Sequence, residues 1–102
     1  MNAFGALADP VRIEIVEALA AGDRTVNEIV ELFDISQPAI SRHLRVLREA
    51  GLVSARPEGR QRIYRLDPEP LREIDGWLAR YRRFWARRLD ALERHLDEEA
   101  SR

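Results

Sequence analysis

Thr25-Val-Asn-Glu-Ile-Val-Glu-Leu-Phe-Asp-Ile-Ser-Gln-Pro-Ala-Ile-Ser-Arg-His-Leu-Arg-Val-Leu-Arg-Glu-Ala-Gly-Leu-Val53 is the stretch on which the fold turns. Thr25 with Glu28 three residues on is a capping box, and it opens a short helix through about Phe33. Val26, Ile29, Val30 and Phe33 mark the buried side of that helix. Asp34-Ile35-Ser36 then makes a tight turn, with Ser36 as the N-cap of a second helix that ends where glycine commonly terminates, at Ala50-Gly51. On a helical wheel with Gln37 at zero, Ala39, Ile40, His43, Leu44, Val46, Leu47 and Ala50 fall between about 180° and 340°. Gln37, Pro38, Ser41, Arg42, Arg45, Arg48 and Glu49 fall between about 0° and 140°. One face packs and the other is polar and mostly cationic. A short helix, a tight turn and such a helix form a helix-turn-helix, whose second helix enters the major groove of DNA. Arg, Gln and Ser pair with the donors and acceptors on base edges there. Residues at the start of the helix reach deepest, so the candidate contacts are Ser36, Gln37, Pro38, Ser41, Arg42 and Arg45, ahead of Arg48. The competing reading is a solvated Arg-rich face, common on helices; the near absence of acids and the preceding tight turn favour DNA.

Upstream, Asp9-Pro10 reads as an N-cap followed by proline at the first helical position, with a helix to about Ala21 ended by Gly22-Asp23. Downstream, two strand-like runs, Leu52–Arg56 and Arg60–Leu66, flank Pro57-Glu58-Gly59 as a β-hairpin. Arg56, Arg60, Arg62 and Arg65 make this hairpin a cationic wing that can lie along phosphates or reach into a minor groove. A charged edge hairpin kept basic against aggregation is the alternative. Asp67-Pro68 opens a last helix to about residue 98. The expected fold is mainly α with a small β-hairpin: a single winged helix-turn-helix domain over 1–102, its wing at about 52–66, its long C-terminal helix at about 68–98.

Charge supports this division. The net charge of −1 over 102 residues is a cancellation. Residues 1–35 carry two Arg against seven acids, residues 36–65 seven Arg against two acids, and residues 66–102 eight Arg against nine acids. A basic central third on an otherwise acidic chain suits a polyanion. All 17 basic residues are Arg, whose guanidinium pairs in bidentate fashion with phosphate and guanine. There is no cysteine, which removes disulfides, thiolate metal ligands and thiol redox chemistry. No apolar run approaches the ~18 residues of a membrane span, and the first ten residues lack the pattern of a secretory signal. A cytoplasmic protein is expected. Two histidines, no glycine-rich phosphate loop and no convincing pair of carboxylates leave no catalytic set, so an enzyme is not expected.

Over most of its length the chain resembles the ArsR-type winged-helix transcriptional regulators. The carrying segments are Ala6-Leu-Ala-Asp-Pro-Val-Arg12, Thr25–Leu32, Ile35–Val53 and, as a second wing strand, Arg60–Leu66. The resemblance implies a homodimeric repressor that occupies double-stranded operator DNA and is often released by an effector. Metal-sensing relatives carry a Cys-containing motif before the turn, where this chain reads Glu31-Leu-Phe-Asp-Ile35, or paired ligands on the last helix, where it offers His95 among Asp90, Asp97, Glu98 and Glu99. That is no defined ligand set, so no metal or other cofactor is expected. The effector is left unidentified: a small organic molecule, a protein antagonist, or none.

On the last helix, Leu71, Ile74, Trp77, Leu78, Tyr81, Phe84, Trp85, Leu89, Leu92 and Leu96 fall within about 140° of arc. This stripe is longer than a small domain body can cover, which points to a symmetry mate. The candidate dimer interface is Trp77, Tyr81, Phe84, Trp85, Arg88, Leu89 and Leu92, to which the family resemblance adds Phe4 and Leu7 on the first helix. A membrane-surface role for the Arg-rich segment 80–88 is the competing idea, disfavoured by the acids elsewhere along the same helix and by aromatics that suit a dimer. Arg88 and His95 interrupt the stripe and, with Trp77 and Phe84, offer one flank to an anionic ligand. His43 lies on the packing face and reads as a packed histidine.

Overall fold

The computed structural model describes residues 3–101. The first helix, α1, is a single turn over Ala3–Ala6. One turn leaves no periodicity to read, so only the family resemblance points to it; Phe4 lies on it, and Leu7 falls in the turn just after it. The second, α2, spans Pro10–Ala20 and starts as its cap dictates: the Asp9 carboxylate accepts the Val11 and Arg12 N–H groups at 2.8 and 3.2 Å. A two-residue strand, β1 (Arg24–Thr25), leads directly into α3 (Val26–Glu31). The capping box is complete, with Thr25 N–H donating to Glu28 Oε1 at 2.9 Å and Glu28 N–H to Thr25 Oγ1 at 3.1 Å.

The helix α4 covers Gln37–Glu49, with Ser36 Oγ accepting the Ala39 N–H at 3.3 Å. Its C-terminus is a Schellman motif: Leu52 N–H donates to Leu47 O and Gly51 N–H to Arg48 O, both at 3.0 Å. Gly51 takes φ +76°, a left-handed conformation that favours glycine. The chain then enters β2 (Val53–Glu58) and returns as β3 (Gln61–Leu66), with Glu58 opposite Gln61. The turn is therefore Gly59-Arg60, with Gly59 at φ +64°, rather than one centred on Pro57-Glu58-Gly59. Pro57 stays in the strand because β2 is an outer strand, where a missing N–H costs no ladder bond. The sheet order is β1-β3-β2, all antiparallel, so β3 is central and β1 adds a third strand to the expected hairpin.

Ile15, Ile29, Ile40, Leu44, Leu47 and Leu52 are fully buried, and Val16, Leu19, Val53 and Tyr64 complete the core with Ala6. Helix α5 spans Glu69–Ala100, about 48 Å at 1.5 Å per residue. The chain resolves into two compact units, one up to Leu71 and one from Arg72 onward. In the first, Leu71 packs against the core. In the second, no described side chain is buried.

Candidate nucleic-acid interface

The wheel divides α4 as expected. Ile40, Leu44 and Leu47 are buried and Ala39, His43, Val46 and Ala50 half-buried, while Gln37, Pro38, Ser41, Arg42, Arg45, Arg48 and Glu49 are all exposed. The tight turn fixes which way that outer face looks. Phe33 and Ile40 on either side of it join one core, so α4 is held by its apolar side and its arginines cannot turn inward.

Two adjoining clefts lie between this face and the wing. Ser41, Arg42, Arg45, Arg48, Arg62 and Tyr64 line one. The other is lined by Gln37, Ser41, Arg60, Gln61 and Arg62, together with Thr25 and Asn27 at the start of α3. Strand register explains the meeting. Arg62 and Tyr64 are two apart on β3 and so share one face of the sheet, the face that turns its buried tyrosine toward α4. Among the described residues, Arg42, Arg45, Arg48, Arg60 and Arg62 pair with no carboxylate. Five guanidinium groups left without internal counter-ions concentrate positive potential along these two adjoining clefts, which is what a polyanion recognises.

Of the candidate contacts, Gln37, Ser41, Arg42, Arg45, Arg60 and Arg62 are brought together. Ser36 is spent on the cap, and Pro38 is exposed in the first turn of α4 without lining either cleft. Arg56 lies apart. It faces Ile63 across the ladder, on the opposite side of the sheet from Tyr64, and pairs with Asp23 at 3.2 Å and with Glu58 at 3.9 Å. Cleft residues outside the candidate set include Asn27 and Gln61, and Arg48 lines a cleft although it ranks behind the other α4 arginines in the sequence. Asn27 was hidden because β1, which sets α3 beside the wing, is too short to leave a pattern. Arg48 was ranked low by distance from the helix start, yet the wing approaches it.

On the other candidate surface, Phe4, Trp77, Tyr81, Phe84, Trp85, Arg88, Leu89 and Leu92 are exposed, while Leu7 is half-buried against the core. The rings of Trp77 and Tyr81 lie 4.9 Å apart and those of Phe84 and Trp85 5.5 Å apart. Arg88 places its guanidinium carbon 4.7 Å above the Phe84 ring, and His95 Nε2 lies 3.6 Å from Glu99 Oε1. Both groups proposed for an anion flank thus have partners on their own helix. His43 is half-buried with its Nδ1 3.4 Å from the Arg12 guanidinium, as a packed histidine should be. Among the described residues no cluster of His, Asp or Glu is placed to hold a metal ion.

Comparison with known proteins gives this arrangement its relatives. The family model described as bacterial regulatory protein, arsR family, matches residues 9–55. The HTH-type transcriptional regulator Rv2034 of Mycobacterium tuberculosis is 43% identical over 98 residues, an alignment covering 96% of this chain and 89% of the relative. The chain belongs to the arsR family. Another relative of this arsR-family chain is the transcriptional repressor SdpR of Bacillus subtilis, 36% identical over 80 residues, with 78% of this chain and 89% of SdpR covered. Among solved structures, a possible transcriptional regulator for arsenical resistance superposes with a TM-score of 0.74 at 42% identity, covering 93% of this chain and 96% of that one. An ArsR-like transcriptional regulator from Rhodococcus sp. RHA1 superposes with a TM-score of 0.69 at 33% identity, over 89% and 86% of the two chains. The arsR-family chain is a winged-helix, DNA-binding transcriptional regulator and not an enzyme. No helix among its described residues is long and apolar enough to cross a membrane.

Proposed function

We propose that this arsR-family regulator is a homodimeric repressor that reads a palindromic operator. Each protomer works as one winged-helix domain, its α4 lying in the major groove and the two half-sites about one helical turn apart. Gln37, Ser41, Arg42 and Arg45 reach base edges. Ser36 and Pro38 approach the backbone at the helix start, Arg60 and Arg62 hold phosphates from the wing, and Arg56 supports them from the wing's far side. Phe4, Leu7 and the α5 stripe, Trp77, Tyr81, Phe84, Trp85, Arg88, Leu89 and Leu92, cover one another across the two-fold axis. The observation that carries this reading is the set of guanidinium groups converging from α4 and β3 without internal counter-ions.

Fluorescence anisotropy on the protein's own upstream DNA, beside a scrambled duplex at several salt concentrations, tests it. Preference for the natural sequence that survives moderate salt is expected. Equal, salt-fragile binding to both duplexes on that and other candidate sites would mark a chromosome-coating role, and binding to neither an interaction module.

A further inference from the structure

The DNA-binding reading absorbs the arginines of α4 and the wing but not those of α5. Acids interleave along α5 except in one place: between Asp75 and Asp90 there are five arginines and no acid. Arg82 is committed to Asp75 and Arg88 to the Phe84 ring. Arg80, Arg83 and Arg87, spaced i, i+3 and i+7, are exposed and have no carboxylate partner among the described residues. On the helical wheel they form one ridge, about 60° wide, immediately beside the aromatic stripe. A solvated helix face ordinarily carries both signs of charge, laced by i, i+4 pairs. This one carries a single sign along an apolar border.

A surface of the opposite character lies on α2. Its outer face is Pro10, Ile13, Glu14, Glu17 and Ala20, all exposed, with Ile13 42% accessible. Ile15, Val16 and Leu19 fill its inner face, so the glutamates Glu14 and Glu17 stand together on the outer one. That outer face carries the two glutamates i, i+3 apart and no basic residue.

We propose that the Arg80–Arg83–Arg87 ridge of one protomer docks on the Glu14–Glu17 face of α2 in a second copy of this chain. The proposal rests on the homodimer reading and adds a second, electrostatic contact beside the apolar stripe. Two-fold symmetry makes the contact twice. Rim charges of this kind speed encounter and fix register more than they add affinity, and salt weakens them. The dimer is therefore salt-sensitive independently of DNA.

A charge-swap experiment by sedimentation at low and high salt tests this, with fluorescently tagged chains for mixing. R83E/R87E places acid against acid and E14R/E17R places base against base, so each variant alone is expected to dimerise roughly tenfold more weakly than wild type at low salt. Far-UV circular dichroism should be unchanged, since all four side chains are exposed. Mixing the two variants restores both contacts in the heterodimer, which should form in preference to either homodimer, the preference fading in high salt. If the wild type dimerises but the variants do so equally well, or mix statistically, the ridge contact is wrong and the homodimer stands. A wild type that is monomeric throughout removes both. Binding of wild type to phosphatidylglycerol vesicles that R83E/R87E loses, with dimerisation unchanged, would overturn the proposal in favour of a lipid surface.

Discussion

Arg42 and Asp9 illustrate two kinds of single-residue consequence. Arg42 is exposed near the start of α4, in a cleft with Arg45 and Arg62, and pairs with no carboxylate among the described residues. Arg42→Ala is expected to cost roughly 1–3 kcal/mol of DNA affinity and to relax preference at one base position if its contact is guanine. Binding measured across a set of single-base operator variants distinguishes that from a phosphate contact, which would weaken all sequences alike. Asp9 and Glu28 instead report on folding. Desolvation pushes the Asp9 carboxyl up, but the Arg12 and Val11 N–H groups, with His43 and Arg12 nearby, hold it below its ordinary 3.8. Glu28 is held below 4.5 chiefly by the Thr25 N–H, then by its hydroxyl. A carboxylate whose pKa is lower folded than unfolded stabilises the fold above its unfolded value, and that contribution is lost as pH falls through the folded one. Wild type should therefore melt above Asp9→Asn/Glu28→Gln at pH 7, and the gap should close below about pH 4.

At the scale of elements, α4 and the wing behave differently under substitution. Ile40, Leu44 and Leu47 are 0–1% exposed, so truncation of any one to alanine should destabilise the fold by about 2–5 kcal/mol in a denaturant titration. On the wing, Arg60→Ala and Arg62→Ala should lower affinity and flatten the dependence of log K on log salt by about one each, with the melting temperature unmoved. Unchanged binding in both would end the wing's part in recognition. Legibility follows the same division. The faces of α4 were plain because a 13-residue amphipathic helix repeats its pattern, and Thr25/Glu28 and Ser36 announce their caps by residue type alone. What stayed hidden depended on distant pairing. Arg24 and Thr25 became a strand only because Tyr64 and Ile63 lie opposite them. Arg56 looked like its neighbours until the register put it on the far face beside Asp23.

For the molecule as a whole, the exposed apolar side chains of α5 set the terms. Trp85 and Leu89 are 61% and 63% exposed, and a stripe of this size is seldom left in water. Trp85→Glu/Leu89→Glu is expected to shift the protein to monomer in sedimentation while the body, whose core excludes both residues, keeps its fold. DNA affinity should fall with it, because a monomer engages one half-site only.

The two residues of β1 have a mechanical meaning. They bond to β3 only at Tyr64 and Ile63, so the central strand is held on both sides there and on one side alone toward Gln61. The hairpin is a cantilever, clamped at its root and free over Glu58–Gln61. Its amides should exchange with deuterium fastest at the tip and slowest at Ile63 and Tyr64. A cantilever loaded at its end delivers the load to its clamp. Any pull that DNA exerts on Arg60 or Arg62 therefore arrives at Thr25, the residue that caps α3.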